Sequence, residues 1–295
     1  MGTSRDARGA RPANLQALAI ADKVRLETMV LTDLESVVQT LTKVHASEIY
    51  NLAGQSSVGL SFDCPRETIE GIAVGTLNLL EAIRVLKAPV RFFSAGSSDC
   101  FGSTAAPADE TTPFRPRSPY AVAKAAAFWE VGNYREAYGV HACTGILFPH
   151  ESPLRSERFV TQKVIAGACR ISDGSGERLK LGNLSGKRDW GWAPEYVDAM
   201  WRMMQRETPA DLVIATGTTV SLERFVELAF EAVGLNWKEH VDVDSSLFRP
   251  LDISVSRGNP EKAFRVLHWK AQYHVKEVVE GMVRAYRNRQ PVPKS

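Results

Sequence analysis

The sequence predicts an α/β protein built on a doubly wound parallel sheet, and three observations carry that expectation. Apolar strand-like runs alternate with helical runs along the chain. The strand-like runs are apolar nearly throughout, as in a parallel sheet covered on both faces. Most run into a short turn of Gly, Ser or Ala, the place where ligands sit in such sheets, beyond the carboxyl ends of the strands.

The elements follow in order. Residues 3–23 are polar and rich in Arg and Ala, and the alternation of Val24–Val30 predicts a strand. Thr32-Asp33-Leu34-Glu35 opens a helix, with Thr32 or Asp33 as N-cap. Glu48–Gly54 reads as a buried strand entering a small-residue turn. A long amphipathic helix is expected over Thr68–Leu86, with Leu77, Leu80 and Ile83 on one face. Val90–Gly96 is a strand ending in Ser and Gly, Tyr120–Tyr138 a helix and Val140–Phe148 a strand. Beyond Phe148 the pattern loosens. Shorter helices at Phe159–Ser172 and Leu222–Val233 are separated by Gly- and Pro-containing turns, and a last helix covers Lys276–Asn288. The second half reads as a smaller substrate-binding lobe.

Composition excludes several classes. The 295 residues fit two units at ~150 residues per domain. Lys plus Arg total 36 against 34 Asp plus Glu, a net charge of +2, without the basic excess that nucleic acid or a membrane surface requires. Hydrophobic residues at 44% and charged residues at 24% are those of a chain able to bury a core. No apolar run reaches the ~20 residues of a membrane-spanning helix, and Met1–Asp6 lacks the basic-then-apolar layout of a signal peptide. Cys64, Cys100, Cys143 and Cys169 are widely spaced, which predicts reduced thiols in the cytoplasm and no metal site.

The sharpest local signal is Ser118-Pro119-Tyr120-Ala121-Val122-Ala123-Lys124. Tyr120 and Lys124 stand four apart at the start of a helix and project from one face. An ammonium beside a phenol stabilises the phenolate, which makes the pair a candidate acid/base for a sugar hydroxyl. The spacing alone is common on solvated helix faces. The Ser-rich strand end Ser94-Ala95-Gly96-Ser97-Ser98-Asp99 upstream supplies hydroxyls that could share the same substrate oxygen.

These residues resemble the extended short-chain dehydrogenase/reductase superfamily, and within it the GDP-mannose 4,6-dehydratase family. The resemblance is carried by Tyr50–Ser56, Gly75–Arg84, Thr112–Lys124, Asn133–Glu136, Gly145–Phe148 and His150-Glu151-Ser152-Pro153. It continues through Phe159–Thr161, Leu181–Asn183, Lys187-Arg188-Asp189-Trp190-Gly191, Ile214–Gly217, Phe248–Pro250 and Gly258–Pro260. It implies a Rossmann-type fold, NADP as cofactor, GDP-mannose or a related nucleotide sugar as substrate, and a homodimer or homotetramer. It places an incomplete dinucleotide-binding domain at 1–150 and a nucleotide-sugar lobe at 151–295, with the chain crossing back to the sheet near 185–220. Implied catalytic residues are Tyr120, Lys124, Ser97 at the family's Thr and Asp99 at the Glu that moves the C5 proton. Implied cofactor residues are Arg5, Leu52, Ala53, Gln55, Tyr120, Lys124, His150 and Arg155. Glu151, Ser152, Val160, Lys163, Leu181, Arg188, Arg249 and Asp252 are implied around the substrate.

The sequence also departs from the family. Gly2–Asp6 resembles the end of the family's second strand, so the first strand, its Gly-rich phosphate turn and the first helix are missing. A gap in the sheet, or two unpaired edges brought together, is therefore expected, with the first 20 residues poorly ordered or rearranged. Met29-Val30 stands where the family has Gly-Asp, Asp99 where it has Glu, Pro149 where it has Asn, Ser57 where it has His, and Gln162 where it has Arg. Three readings stay open: an active dehydratase, a catalytically impaired nucleotide-sugar-binding relative, and a sugar-nucleotide reductase or epimerase.

Overall fold

The computed structural model describes residues 1–7, 9, 13–248 and 251–289. The elements in chain order are β1 (Gly2–Ser4), α1 (Ala13–Ala17), β2 (Leu26–Thr28), α2 (Leu34–Val44), β3 (Glu48–Asn51), α3 (Val58–Asp63), α4 (Pro65–Ile69), α5 (Gly75–Leu86), β4 (Arg91–Ala95), α6 (Pro119–Tyr138), β5 (Ala142–Leu147) and β6 (His150–Glu151). They continue as α7 (Val160–Ser172), β7 (Leu179–Leu181), β8 (Lys187–Asp189), β9 (Gly191–Trp192), α8 (Ala193–Gln205), β10 (Leu212–Ile214), β11 (Thr219–Ser221), α9 (Leu222–Glu231), β12 (Val241–Val243), α10 (Glu261–Leu267) and α11 (Val275–Arg289).

The chain forms two compact units. The first comprises Met1–Gly96, Ser118–Thr144 and Met203–Ala210; the second comprises Ser97–Arg117, Gly145–Arg202 and the chain from Asp211 onward.

In the first unit, β3 pairs in parallel with β4 from Glu48↔Arg91 to Asn51↔Ser94. Phe92 N donates to His141 O at 2.9 Å, which ties β4 to the start of β5. β1 and β2 form a separate parallel pair, Gly2↔Leu26 to Ser4↔Thr28. Among the described residues β3 has a ladder partner only in β4. Gly2–Ser4 is a regular strand paired with β2, and residues 8 and 10–12 of this segment lie outside the described residues. Val37 of α2, Leu79, Leu80 and Ile83 of α5, Phe92, and Val131 and Tyr134 of α6 bury one core together with Met29.

The helix expected over Thr68–Leu86 is interrupted. α4 ends at Ile69, a π-helical turn covers Glu70–Val74, and α5 starts at Gly75. Leu77, expected on the buried face, is 38% exposed. The buried stripe of α5 is Thr76, Leu79, Leu80 and Ile83. At ~100° per residue Leu77 lies ~120° around the helix from Ile83, on the flank of that stripe.

The second half of β5 belongs to the second unit, where Gly145, Ile146 and Leu147 pair in parallel with Leu212, Val213 and Ile214 of β10. The strand order read along this sheet is β10-β5-β4-β3. β6 pairs in parallel with β9, β7 with β12, and β8 antiparallel with β11. A second core packs α7, α9 and α11 around Phe225, Phe230, Ile165 and Met282. No helix among the described residues is long and apolar enough to cross a membrane.

α6 starts where Ser118 caps it: its Oγ accepts from Ala121 N at 3.1 Å, and Pro119 takes the first helical position, where its missing N–H costs nothing. Ser118→Ala is expected to lower stability by about 1 kcal/mol, read as a drop of a few degrees in thermal midpoint. Phe92→Ala in the first core is expected to cost about 4 kcal/mol, read by urea denaturation.

Candidate active site

In the first unit, the Tyr120–Lys124 pair is built by the first two turns of α6. Lys124 is only 8% exposed, and its Nζ donates to Ala95 O at 2.7 Å, at the carboxyl end of β4. The same Nζ lies 5.9 Å from the Tyr120 ring centroid. Tyr120 packs against Ile72, Ala123 and Ala127, which fixes the side of the helix its phenol leaves from.

The turn after β3 is held by its own side chains. Asn51 Nδ2 donates to Thr76 Oγ1 at 3.1 Å, and its Oδ1 accepts from Ala53 N at 3.2 Å. Gln55 uses both ends of its amide, donating to Thr68 Oγ1 at 2.9 Å and accepting from Ser57 N at 2.8 Å. Leu52 projects from this turn, exposed. Gly54 has φ +104°, in the region that favours glycine, and a Cβ there would run into Ile72. Arg5 is exposed and lies 3.8 Å from Glu67.

In the second unit, Ser97 caps the 3-10 turn Ser98–Phe101, its Oγ accepting from Asp99 N at 3.2 Å. Further along, β6 carries His150 and Glu151. Arg155 Nε lies 2.6 Å from Glu151 Oε2, Thr161 Oγ1 donates to that oxygen at 2.9 Å, and Arg155 Nη2 donates to His150 O at 2.8 Å. Burial pushes the Glu151 carboxyl up to about 7, against the opposing pull of Arg155 and Thr161. Burial pushes His150 the other way, down to about 4, so its imidazole is neutral at neutral pH, with Nδ1 2.8 Å from Phe148 O. Ser152 Oγ accepts from Leu154 N at 3.2 Å.

Arg188 and Asp252 come together, Nη2 to Oδ1 at 3.2 Å. Lys163 Nζ donates to Lys180 O at 2.7 Å. Val160 packs at the margin of the second core, and the Leu181 side chain is sealed inside it, 1% exposed. Of Leu181 the backbone is what a ligand can meet, and its carbonyl already accepts from Asp244 N at 2.8 Å. Arg249 lies outside the described residues.

Three further groups in the second unit were given no role from the sequence. Thr161, on the first turn of α7, fixes Glu151 from ten residues away. Asp189 is fully buried, accepts from Thr216 N, Thr216 Oγ1 and Gly217 N, and is pushed up to about 6 by burial. Tyr196 stacks on His150. Thr161 and Asp189 stand inside the stretches 159–161 and 187–191 that carry the resemblance, but no local pattern marks their partners or the stacking of Tyr196, because only the packed fold makes these groups neighbours.

Residues 2–282 match the sequence model of the family described as GDP-mannose 4,6 dehydratase. The chain is 46% identical over 257 residues to GDP-mannose 4,6 dehydratase 1 of Arabidopsis thaliana, covering 86% of this chain and 71% of that one. It is 46% identical over 274 residues to GDP-mannose 4,6-dehydratase of Sinorhizobium fredii (strain HH103), covering 86% and 78%. The chain belongs to the GDP-mannose 4,6-dehydratase family. Its fold is that of RMD from Pseudomonas aeruginosa, solved complexed with NADPH: TM-score 0.82 at 22% identity, covering 98% of this chain and 99% of that one.

The residues present fit the two ends of an NADP molecule unequally. The Tyr120–Lys124 pair fits the nicotinamide-ribose end: a buried ammonium beside a phenol at a strand's carboxyl end supplies a hydrogen-bond donor and a proton-exchanging hydroxyl. At the family's adenine-binding position, Met29 is buried in the first core and Val30 follows, so no carboxylate is offered there.

The Glu151 shift has a stability consequence. Its folded value, about 7, lies above the ordinary carboxyl value of 4.5, so the folded state holds a proton that the unfolded chain releases. This contribution is full below pH 4.5 and is lost as pH rises through about 7. Glu151→Gln removes it. The variant is therefore expected to gain about 3 kcal/mol relative to the parent between pH 4.5 and pH 8, read from paired urea titrations. The His150 shift runs in the opposite sense and cancels in this difference.

Proposed function

We propose that this chain converts GDP-mannose to GDP-4-keto-6-deoxymannose. The observation that carries the proposal is Lys124, buried and bonded to Ala95 O beside the Tyr120 ring, in a chain matched to the family over residues 2–282. Tyr120 takes the proton of the mannose C4 hydroxyl, and Lys124 stabilises the phenolate that does so. Ser97 hydrogen-bonds the same oxygen. Asp99 removes the C5 proton, which becomes acidic only once C4 is a ketone, and passes it to the C6 hydroxyl, which departs as water; C5 regains a proton from solvent when the hydride is returned at C6. NADP, when bound, supplies the hydride exchange, accepting at C4 and returning at C6.

Around the substrate, Glu151 and Ser152 hold sugar hydroxyls, and a protonated Glu151 donates as well as accepts. Arg188, oriented by Asp252, forks onto the diphosphate with Arg249. Val160, Lys163 and Leu181 border the nucleotide. Arg5, Leu52, Ala53, Gln55, His150 and Arg155 border the cofactor. Residues 1–150 serve the cofactor and 151–295 the nucleotide sugar. The working form is a homodimer or homotetramer in the cytoplasm, a reading supported by the resemblance. A second reading, nucleotide-sugar binding without turnover, is favoured by the buried Met29 at the adenine position.

Calorimetry with NADP and with GDP-mannose, followed by product analysis, separates the two. Binding of both with formation of the 4-keto product is the expected result. Tyr120→Phe is expected to lower kcat by roughly 10²–10⁴-fold with GDP-mannose affinity kept. GDP-mannose binding with no NADP uptake and no product would sink the dehydratase reading.

A further inference from the structure

We infer that Tyr196 is a positioning residue for His150: its ring sets the plane of the imidazole, and Gly191 makes room for it to do so. The inference rests on the proposed function for its catalytic consequence, but its geometry stands by itself within the second unit.

Tyr196 lies on the first turn of α8 and is completely buried. Its ring stacks on the His150 imidazole, centroids 4.6 Å apart at 25°. On its other side it meets Trp269 edge-on at 5.9 Å and 88°. Trp269 is pinned in turn, its Nε1 donating to Glu195 O at 3.0 Å. The imidazole is thus held by an aromatic face on one side, by its Nδ1 contact to Phe148 O, and by the Arg155 bond to its own carbonyl.

The room for this stack comes from β9. His150 and Gly191 are directly paired across the β6–β9 ladder, and Gly191 N donates to Pro149 O at 2.9 Å. A Cβ on Gly191 would overlap Tyr196 Cε2 and come within 2.7 Å of its hydroxyl. The backbone at Gly191 does not need glycine for its φ; the ring of Tyr196 does.

The hydroxyl is a separate matter. It is buried and has no hydrogen-bond partner among the described residues. A buried donor left unbonded contributes nothing favourable. The stacking ring, not the hydroxyl, therefore does the positioning, and phenylalanine should serve at this position. The charged or titratable groups around the pair are Arg155 and Glu151 from the β6 side, Asp189 from β8 and Glu195 from α8.

The test uses the full chain and proton NMR of the His150 imidazole, assigned by comparison with His150→Gln. In the parent, a ring-carbon proton of His150 is expected upfield of the other histidines by the ring current of Tyr196. Tyr196→Phe should keep that shift, with thermal stability equal or higher. Tyr196→Leu should lose the shift and alter the His150 titration. With substrate turning over, Tyr196→Leu is expected to lower kcat on the order of tenfold or more, with KM changed less, and Tyr196→Phe to restore it. Gly191→Ala should reproduce the Leu pattern by displacing the ring. An unshifted His150 resonance in the parent would overturn the inference without any variant having to fold. So would equal His150 spectra in Tyr196→Phe and a folded Tyr196→Leu. A parent that binds neither NADP nor GDP-mannose would remove the proposed function, while the His150 spectra would still decide this inference.

Discussion

The buried Lys124 ammonium and its bond to the Ala95 carbonyl organise the first unit. An ammonium withdrawn from water is costly unless a strong acceptor replaces its hydration. Ala95 supplies that acceptor from the last residue of β4, at the point where the chain turns away through Gly96. The bond ties the start of α6 to a strand end, and the helical period then fixes where Tyr120, one turn earlier, must project. Ser118 and Pro119 set the helix start, so the register of the pair follows from the cap. Packing of Tyr120 on Ile72, Ala123 and Ala127 removes the remaining freedom of the phenol.

The second unit solves a different problem, that of keeping polar groups inside a dry strand end. Glu151 is buried with two partners on one oxygen, and His150 beside it is partly buried without a countercharge. Desolvation disfavours the charged form of each, and so drives an acid up and a base down. The result is a neutral imidazole next to a carboxyl poised near neutrality. Arg155 serves both residues, one through its side chain and the other through its carbonyl, and its guanidinium lies 4.5 Å over the Phe159 ring. Asp189 repeats the arrangement with a hydroxyl and two backbone N–H groups in place of an arginine.

Much of this was legible in the sequence. Strand and helix alternation, a helix cap at Thr32 or Asp33, which the fold places on Asp33, and the Tyr-x-x-x-Lys face depend on local period or on short contiguous motifs, and the fold reproduces them. What was missed depends on distant residues. Leu77 looked buried because it was placed on one face with Leu80 and Ile83, whereas the buried stripe of α5 runs through Thr76, Leu79, Leu80 and Ile83 and leaves Leu77 on its flank. The burial of the Leu181 side chain was not legible either, because sequence position does not say which face of β7 meets the core. The separate pairing of β1 with β2 was not legible, since pairing between strands is settled by ladders that no local pattern encodes.

By itself, then, the sequence determined the class of fold, the family and the four-residue spacing of its acid/base pair, because these follow from periodicity and from motifs read along the chain. Only the tertiary structure decided the state of the groups at the strand ends. Whether Glu151 holds a proton, whether His150 is neutral, and which ring fixes its plane are set by burial and by partners on Thr161, Gly191 and Tyr196. Desolvation is a property of what surrounds a group in space, and neighbours ten or forty-six residues away become its surroundings only when the chain has folded.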